Sequence, residues 1–456
     1  MRWLRSVIAL GIALALGLAA RQFAAPPVAT TSARRPFVPT SVVDPERVID
    51  VILERDGVRY RFVRRGESWW QTEPIEFPVD SWSIRQFVIR LLKTESVRSV
   101  PADPESLSRA GLSPAVASIE LTILNDDGVS RTVGVELGKR SLAGRAYARM
   151  SDANATFDVV DATLHEFVLE RDPKEFRRRD IFVDLSEVDR VAFNSGGNLT
   201  VLERTGRDYR LSAPVRARAD RAQAEELLDA LRRARSGGFI VDRPAELAVY
   251  GLAPAAATIT VDGAGNTQTL LIGDAVSIGA QDRFGMMEGS QTIVRLPAAE
   301  IAGIVPRVER LLDAVATGVR PRDVGGLEIV SGANRVVLHR EVEGWTARLF
   351  DVSRIDGADA ASKEPRVVDT DAVDRLLSAL CEARAGSVEI ADFPADREVA
   401  RITLLGFAGE PIDTVRVARR ASDDKLILEN GDGVLRIHGA IDLPLEPAAL
   451  GLMRTR

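Results

Sequence analysis

Three histidines, one cysteine and one run of basic residues are the side chains whose types and spacing could do chemistry in this chain. His165, His339 and His438 are far apart in sequence, and none has a partner at the His-x-x-x-His spacing that puts two imidazoles on one helix face for zinc. Each is read as a structural or surface histidine. Cys381 falls in an apolar helical stripe and is read as a filler rather than a nucleophile. The stretch Gly134–Arg140, GVELGKR, brushes against a phosphate loop, but it is one residue short and carries Arg140 where a magnesium-binding Ser or Thr belongs. The run ENGDG at 429–433 lacks the downstream carboxylate of a calcium loop and reads as a hairpin turn. DGAG at 262–265 opens no helix, and no Gly-x-Ser-x-Gly elbow occurs. No catalytic, cofactor-binding or metal-ligating residue is therefore assigned. One cluster remains: Lys174 with Arg177, Arg178 and Arg179 could dock an acidic partner or a lipid headgroup. The plainer reading is a solvated linker between modules.

Composition narrows the partners. With 66 acidic against 60 basic residues and 5% aromatics, the chain has neither the field nor the stacking platforms for nucleic acid. The lone cysteine leaves no internal disulfide to constrain the compartment.

The elements that would position any site come in three copies. Each copy opens with a hairpin, turning at Asp56-Gly57, at Gly196-Gly197 and about Gly332-Ala333. Asp80, Asp220 and Asp369 then each stand where a helix needs an N-cap. Offsets of 4, 7, 8 and 11 from these aspartates give one apolar stripe three times: Ile84, Phe87, Val88, Leu91; Ala224, Leu227, Leu228, Leu231; Val373, Leu376, Leu377, Leu380. In the first two copies, Pro104 and Pro244 each precede a Gly-Leu-x-Pro by seven residues. That spacing predicts a two-turn helix ended by a left-handed glycine, Gly111 or Gly251. The third copy is shorter here by seven residues and lacks the helix. Several alternating runs follow in each copy. The fold class is α+β: three tandem repeats of an antiparallel-sheet module with short interspersed helices, at 45–180, 181–320 and a degenerate 321–456.

The beginning of the chain supplies an address. Arg2 and Arg5 precede an apolar run from Val7 to Ala20, the layout of a signal peptide or signal-anchor helix over 1–25. Residues 26–44, rich in Pro, Ala and Thr, read as an extended tether outside any core. The expectation is a single-pass membrane protein with its bulk extracytoplasmic (periplasmic), or a secreted one after cleavage.

The order of these features resembles a bacterial family, domain of unknown function 4340. The resemblance rests on the Gly-x-x-Trp hairpin Gly66–Trp69, the Asp-capped Leu-Leu helix, Tyr250-Gly-Leu-x-Pro, the Leu-x-Ile-Gly pattern and the basic junction from Pro173 to Phe193. It covers residues 45–320. It implies a membrane-anchored component found with ABC-type transporters and gliding-motility auxiliary complexes, with no established activity or cofactor. The functional expectation is a non-enzymatic extracytoplasmic scaffold with protein partners in an envelope complex. A periplasmic glycan- or small-ligand-binding module, using Trp69, Trp70 and Trp82, is the alternative.

Overall fold

The computed structural model describes residues 34–39, 43–125, 127–141, 144–351 and 364–452. The expected hydrophobic segment at 1–25, the first part of the tether and Asp126 lie outside the described residues. Among the described residues, no helix is long and apolar enough to cross a membrane. Backbone contacts divide the chain into two compact units, Met1–Arg178 and Arg179–Arg456. The first unit holds one antiparallel sheet of ten strands; the second holds two sheets of nine strands each.

The second module shows the plan. Its strands one to four are Arg190–Ser195, Asn198–Thr205, Asp208–Ala213 and Ala217–Arg218. The helix Arg221–Arg233 follows, and then strands five to nine: Gly238–Asp242, Ala257–Gly263, Asn266–Ala275, Arg283–Met287 and Thr292–Leu296. They lie in the order four-three-two-one-six-seven-eight-nine-five. Two meanders thus meet where strand one pairs with strand six, and strand five is sent to the far edge, against strand nine. The first and third modules have the same order. The third copy is degenerate in sequence but complete in topology.

The module forms because one helix covers one face of this sheet. We label the three helices α1 (Ser81–Lys93), α2 (Arg221–Arg233) and α3 (Thr370–Cys381). Their caps are the expected aspartates: Asp80 accepts from the Trp82 N–H, Asp220 from Gln223 and Asp369 from Asp371. Every residue of the three predicted stripes is buried. Each such aliphatic or aromatic side chain contributes roughly 1.5–3 kcal/mol when fully buried, so the stripe, not helix propensity, holds the helix down. The aromatics after the second hairpin, Trp69, Tyr209 and Trp345, are buried at repeat-equivalent places.

Gly-Leu-x-Pro serves the opposite face. Gly111 and Gly251 take φ of 68° and 65°, and the N–H of the following leucine returns to the carbonyl of Leu107 or Leu247. Leu112 and Leu252 are then buried in small secondary cores with Phe157 and with Met286 and Ile293. In the first copy the helix is Pro104–Ala110, as expected. In the second it shrinks to a single 3-10 turn, Ala248–Tyr250. Here the expected two turns do not form: Pro244 is followed by residues outside any helix until Ala248, and the glycine alone carries the stop.

The Leu-x-Ile-Gly pattern has the same cause. A Cβ on Gly138 would collide with the Ala110 carbonyl oxygen, and one on Gly273 with that of Tyr250. Strand pairing places Ala418 at this position of the third module, since Ala117↔Leu137, Ala257↔Ile272 and Ala400↔Val417 are equivalent pairs. The third copy has no such turn to press on it, and the Ala418 methyl fills its secondary core with Ile427, Leu435 and Ile437.

The tether expectation needs correction over its last part. Arg35–Pro36 adds a tenth strand outside the fifth strand of the first module, Glu95–Pro101, opposite Ser96 and Glu95. The Phe37 N–H donates to the Thr94 carbonyl at 2.8 Å, and Phe37 and Val38 are buried in the main core. Two adjacent large apolar side chains outweigh the Pro-rich composition around them.

Gly273→Ala is expected to lower stability by about 1–3 kcal/mol, because the Tyr250 carbonyl cannot retreat without breaking the turn. Ala418→Gly is expected to cost only about 1 kcal/mol. Urea denaturation of the two variants beside the parent measures the contrast; equal losses would refute this account of the glycine.

Candidate functional site

A cleft of about 1050 Å3 in the second unit lies where its two modules meet. The residues before α2, the segment Asp313–Pro321, the end of α3 and the turn at 430–432 line it. The chain builds this joint by pairing the closing segment of one module first with its own sheet and then with the next. The Asp220 N–H donates to the Leu311 carbonyl and the Asp313 N–H to the Arg218 carbonyl. The Ala385 N–H then donates to Ala314, and the Thr317 N–H to Leu380, both across the joint.

Ionic side chains lock the same place. Arg384, at the end of the third module's helix, pairs with Asp220, the cap of α2. Arg218 donates to the Val315 carbonyl at 2.7 Å and lies 3.3 Å from the Asp313 carboxylate. Arg436 is wholly buried. Its guanidinium holds Asp432 by both oxygens, at 3.1 and 2.6 Å, and its Nε donates to the Asp313 carbonyl at 3.0 Å. Val434, Val388 and Ile390 of the third module pack into the core of the second.

The electrostatics follow from this packing. Burial would raise the Asp220 carboxyl, but the Arg384 hydrogen bond and the Gln223 N–H outweigh it and hold the group below the usual carboxylate range. Burial pulls the Arg218 guanidinium down, against the pull of Asp313. Cys381 lines the cleft, but burial, helped by Glu382 and Asp413, pushes its thiol up to about 12. A thiol so poised is protonated at neutral pH and is a poor nucleophile. The cleft is therefore built as a joint: the Asp220–Arg384 pair and the Arg436 bond to the Asp313 carbonyl cross between the two modules, while Arg218 and Asp313, and Arg436 and Asp432, pair within them.

The residues singled out in the sequence are scattered by the fold. His165 and His438 are buried and His339 is exposed on a strand. Burial lowers both buried imidazoles, with Arg436 adding repulsion at His438. Among the described residues, no three His, Cys, Asp or Glu side chains gather as a metal site would need. GVELGKR lies within the strand Ser130–Ser141. The acids of ENGDG are engaged internally: Asp432 holds Arg436, and Glu429 accepts the Gly433 N–H at 3.2 Å.

The basic run is corrected in part. Arg177 is 1% exposed, donates from Nε to the Gln71 side-chain oxygen at 3.0 Å and stacks 5.1 Å from the centre of the Phe77 ring. It is an internal bracket and cannot reach a partner from there. Lys174 and Arg178 are half-buried, and only Arg179 is exposed. A run of like charges reads as a solvated face, yet the strand-like pairing of Val79 with Arg177 turns that side chain inward. Sequence reasoning missed Arg218, Arg384 and Arg436 altogether. Arg218 stands two residues before the capping Asp220 and Arg436 four after the turn Asp432, spacings that are common in a chain this rich in arginine, and Arg384 has no aspartate near it in sequence.

Two outcomes are expected. Arg436→Ala leaves the half-buried Asp432 and the Asp313 carbonyl without their partner and empties a wholly buried site, and should destabilise the second unit by about 3 kcal/mol in urea unfolding, with Arg436→Lys intermediate because the two-point fork is lost. The neutral, buried His165 and His438 contribute stability that is whole above their unfolded value of about 6.5 and is lost as pH falls below it toward their lowered folded values. Melting temperature should accordingly drop between about pH 7 and about pH 5, and the drop should flatten in the His165→Gln, His438→Gln double variant. An unchanged slope would show that other groups control it.

Comparison with known proteins bears on the whole chain rather than on this cleft. No curated protein matches it. Among solved structures, DNA polymerase III subunit beta from Borrelia burgdorferi is similar at 8% identity, over 88% of this chain and 91% of that one, with a TM-score of 0.13. The beta sliding clamp of C. crescentus is similar at 10% identity, over 85% and 89%, with a TM-score of 0.12. At these scores the likenesses carry no argument about fold or function. The family model is informative: it matches residues 69–240 and again 209–404, together most of the length, and the chain belongs to the family described as domain of unknown function DUF4340.

Proposed function

We propose that this protein is a non-enzymatic, membrane-anchored extracytoplasmic scaffold, an accessory component of an envelope ABC-type transport or motility complex. The observation that carries the reading is the use made of its polar side chains. Asp220 pairs with Arg384 and Arg436 reaches the Asp313 carbonyl across the joint, Arg218 and Asp432 hold Asp313 and Arg436 in place from their own modules, and Cys381 is held as a protonated thiol. Three sheets of one topology supply area and edges, which are the means by which a scaffold engages partners. The basic and apolar beginning of the sequence supplies the anchor, and Lys174, Arg178 and Arg179 remain as docking residues toward an acidic partner.

The ligand-binding alternative has less behind it. Of its three tryptophans, Trp69 is buried like its counterparts Tyr209 and Trp345, Trp70 is half-buried with Arg65 5.6 Å from its ring centre, and only Trp82 is well exposed. One exposed indole makes no aromatic groove.

The test is a detergent pull-down of the tagged protein from its native host, full length beside a chain beginning at Ala25, with mass spectrometry of both. Transporter or motility subunits returning with the full-length chain above control are the expected result. Both chains returning alone under gentle crosslinking would sink the scaffold reading.

A further inference from the structure

A second pocket, in the first unit, has a different character. Its volume is about 380 Å3, and Arg34, Arg90, Lys93 and Arg145 line it beside Glu95 and Asp161. Four cations face two carboxylates. Arg34 pairs with Glu95 at 3.4 Å. Asp161 has its oxygens engaged by the backbone: one accepts the Glu95 N–H at 3.1 Å, the other the Thr163 N–H at 3.0 Å. Burial would raise that carboxyl, but these bonds outweigh it and keep it ionised. Arg90, Lys93 and Arg145 are left around the opening, and Arg90 is held in place over the Phe167 ring, 4.9 Å from its centre.

The helix dipole explains part of this and no more. Arg90 and Lys93 stand in the last turn of α1, where cations are favoured in any protein. Arg145 comes from the first module's strand Arg145–Met150 and Arg34 from the N-terminal segment, and neither is called for by the dipole.

The repeats supply an internal control. The position ten residues after the capping aspartate is Arg90 in the first module but Ala230 and Ala379 in the others. The position thirteen after it is Lys93, then Arg233, then Glu382. Strand pairing equates Arg145, opposite Asp161, with Arg283, opposite Leu296, and with Leu426, opposite His438. Three sheets of the same topology form with and without these charges, so the fold does not require them together. Only the first module gathers all three cations around one opening.

We propose that this pocket binds a phosphate group, carried by a lipid headgroup or by a free solute. Guanidinium and ammonium groups arriving from a helix, a strand and the N-terminal segment can surround a tetrahedral anion, and the volume suits a glycerophosphate-sized group. The site is independent of the joint in the second unit and of the scaffold reading.

The test is a binding titration on the purified full-length chain in neutral detergent. The probes are inorganic phosphate, sn-glycerol 3-phosphate and phosphatidylglycerol in mixed micelles, with glutamate at matched ionic strength as the carboxylate control. Saturable binding of at least one phosphate probe is expected. It should weaken at least about tenfold in the Lys93→Gln, Arg145→Gln double variant and measurably in Lys93→Gln alone, which alters only an exposed helix end. Arg109→Gln, outside the pocket, should leave it unchanged. Binding of the soluble probes identifies a solute site; binding of the lipid alone identifies a headgroup site. No saturable binding, equal affinity in the Lys93→Gln variant, or glutamate binding as well as phosphate would each overturn the proposal.

Discussion

Each module depends on one aspartate that acts through both its side chain and its backbone. The carboxylates of Asp80, Asp220 and Asp369 cap the covering helices. Their own N–H groups donate to Phe176, Leu311 and Leu450, at 2.8, 2.8 and 3.2 Å, near the end of the same module. One residue thus sets where the helix begins and where the returning chain closes the sheet beside strand four. The closing segment then stands in the right place to continue onward. In the second module the same carboxylate also takes Arg384 from the third, so cap, closure and joint converge on Asp220.

That convergence explains the polar character of the joint. An apolar seam between two modules would hold them together without fixing their register. Arg436, buried and bound to both oxygens of Asp432 and to the Asp313 carbonyl, is satisfied in one arrangement only. Buried pairs of this kind add little net stability, because desolvation offsets most of their attraction, but a misplaced partner is heavily penalised. Geometry is what the joint secures. Val434, Val388 and Ile390 supply the apolar contact around it.

The two faces of each sheet do different work. The main helix covers the face that carries the large core. The Gly-Leu-x-Pro turn covers a smaller patch over strands seven to nine, and glycine in strand seven admits its carbonyl. Loss of the turn in the third copy goes with replacement of that glycine by Ala418. The two changes are one packing event seen at two places in the sequence.

Hairpin turns, helix stripes, caps and the Gly-Leu-x-Pro stop were all legible in the amino-acid sequence. Each is decided by residues within about one or two helical turns of one another, where periodicity and φ preference act directly. The strand order was not legible, because sending strand five beyond strand nine is settled by pairing between residues more than fifty apart in sequence, as with Gly238 and Arg295. Nor was the inward turn of Arg177, the docking of Phe37 and Val38, or the meeting of Asp220 with Arg384. Local composition marked Arg177 as solvated and Phe37 as part of a tether. Only the folded sheet offered one a glutamine and a ring, and the other a core.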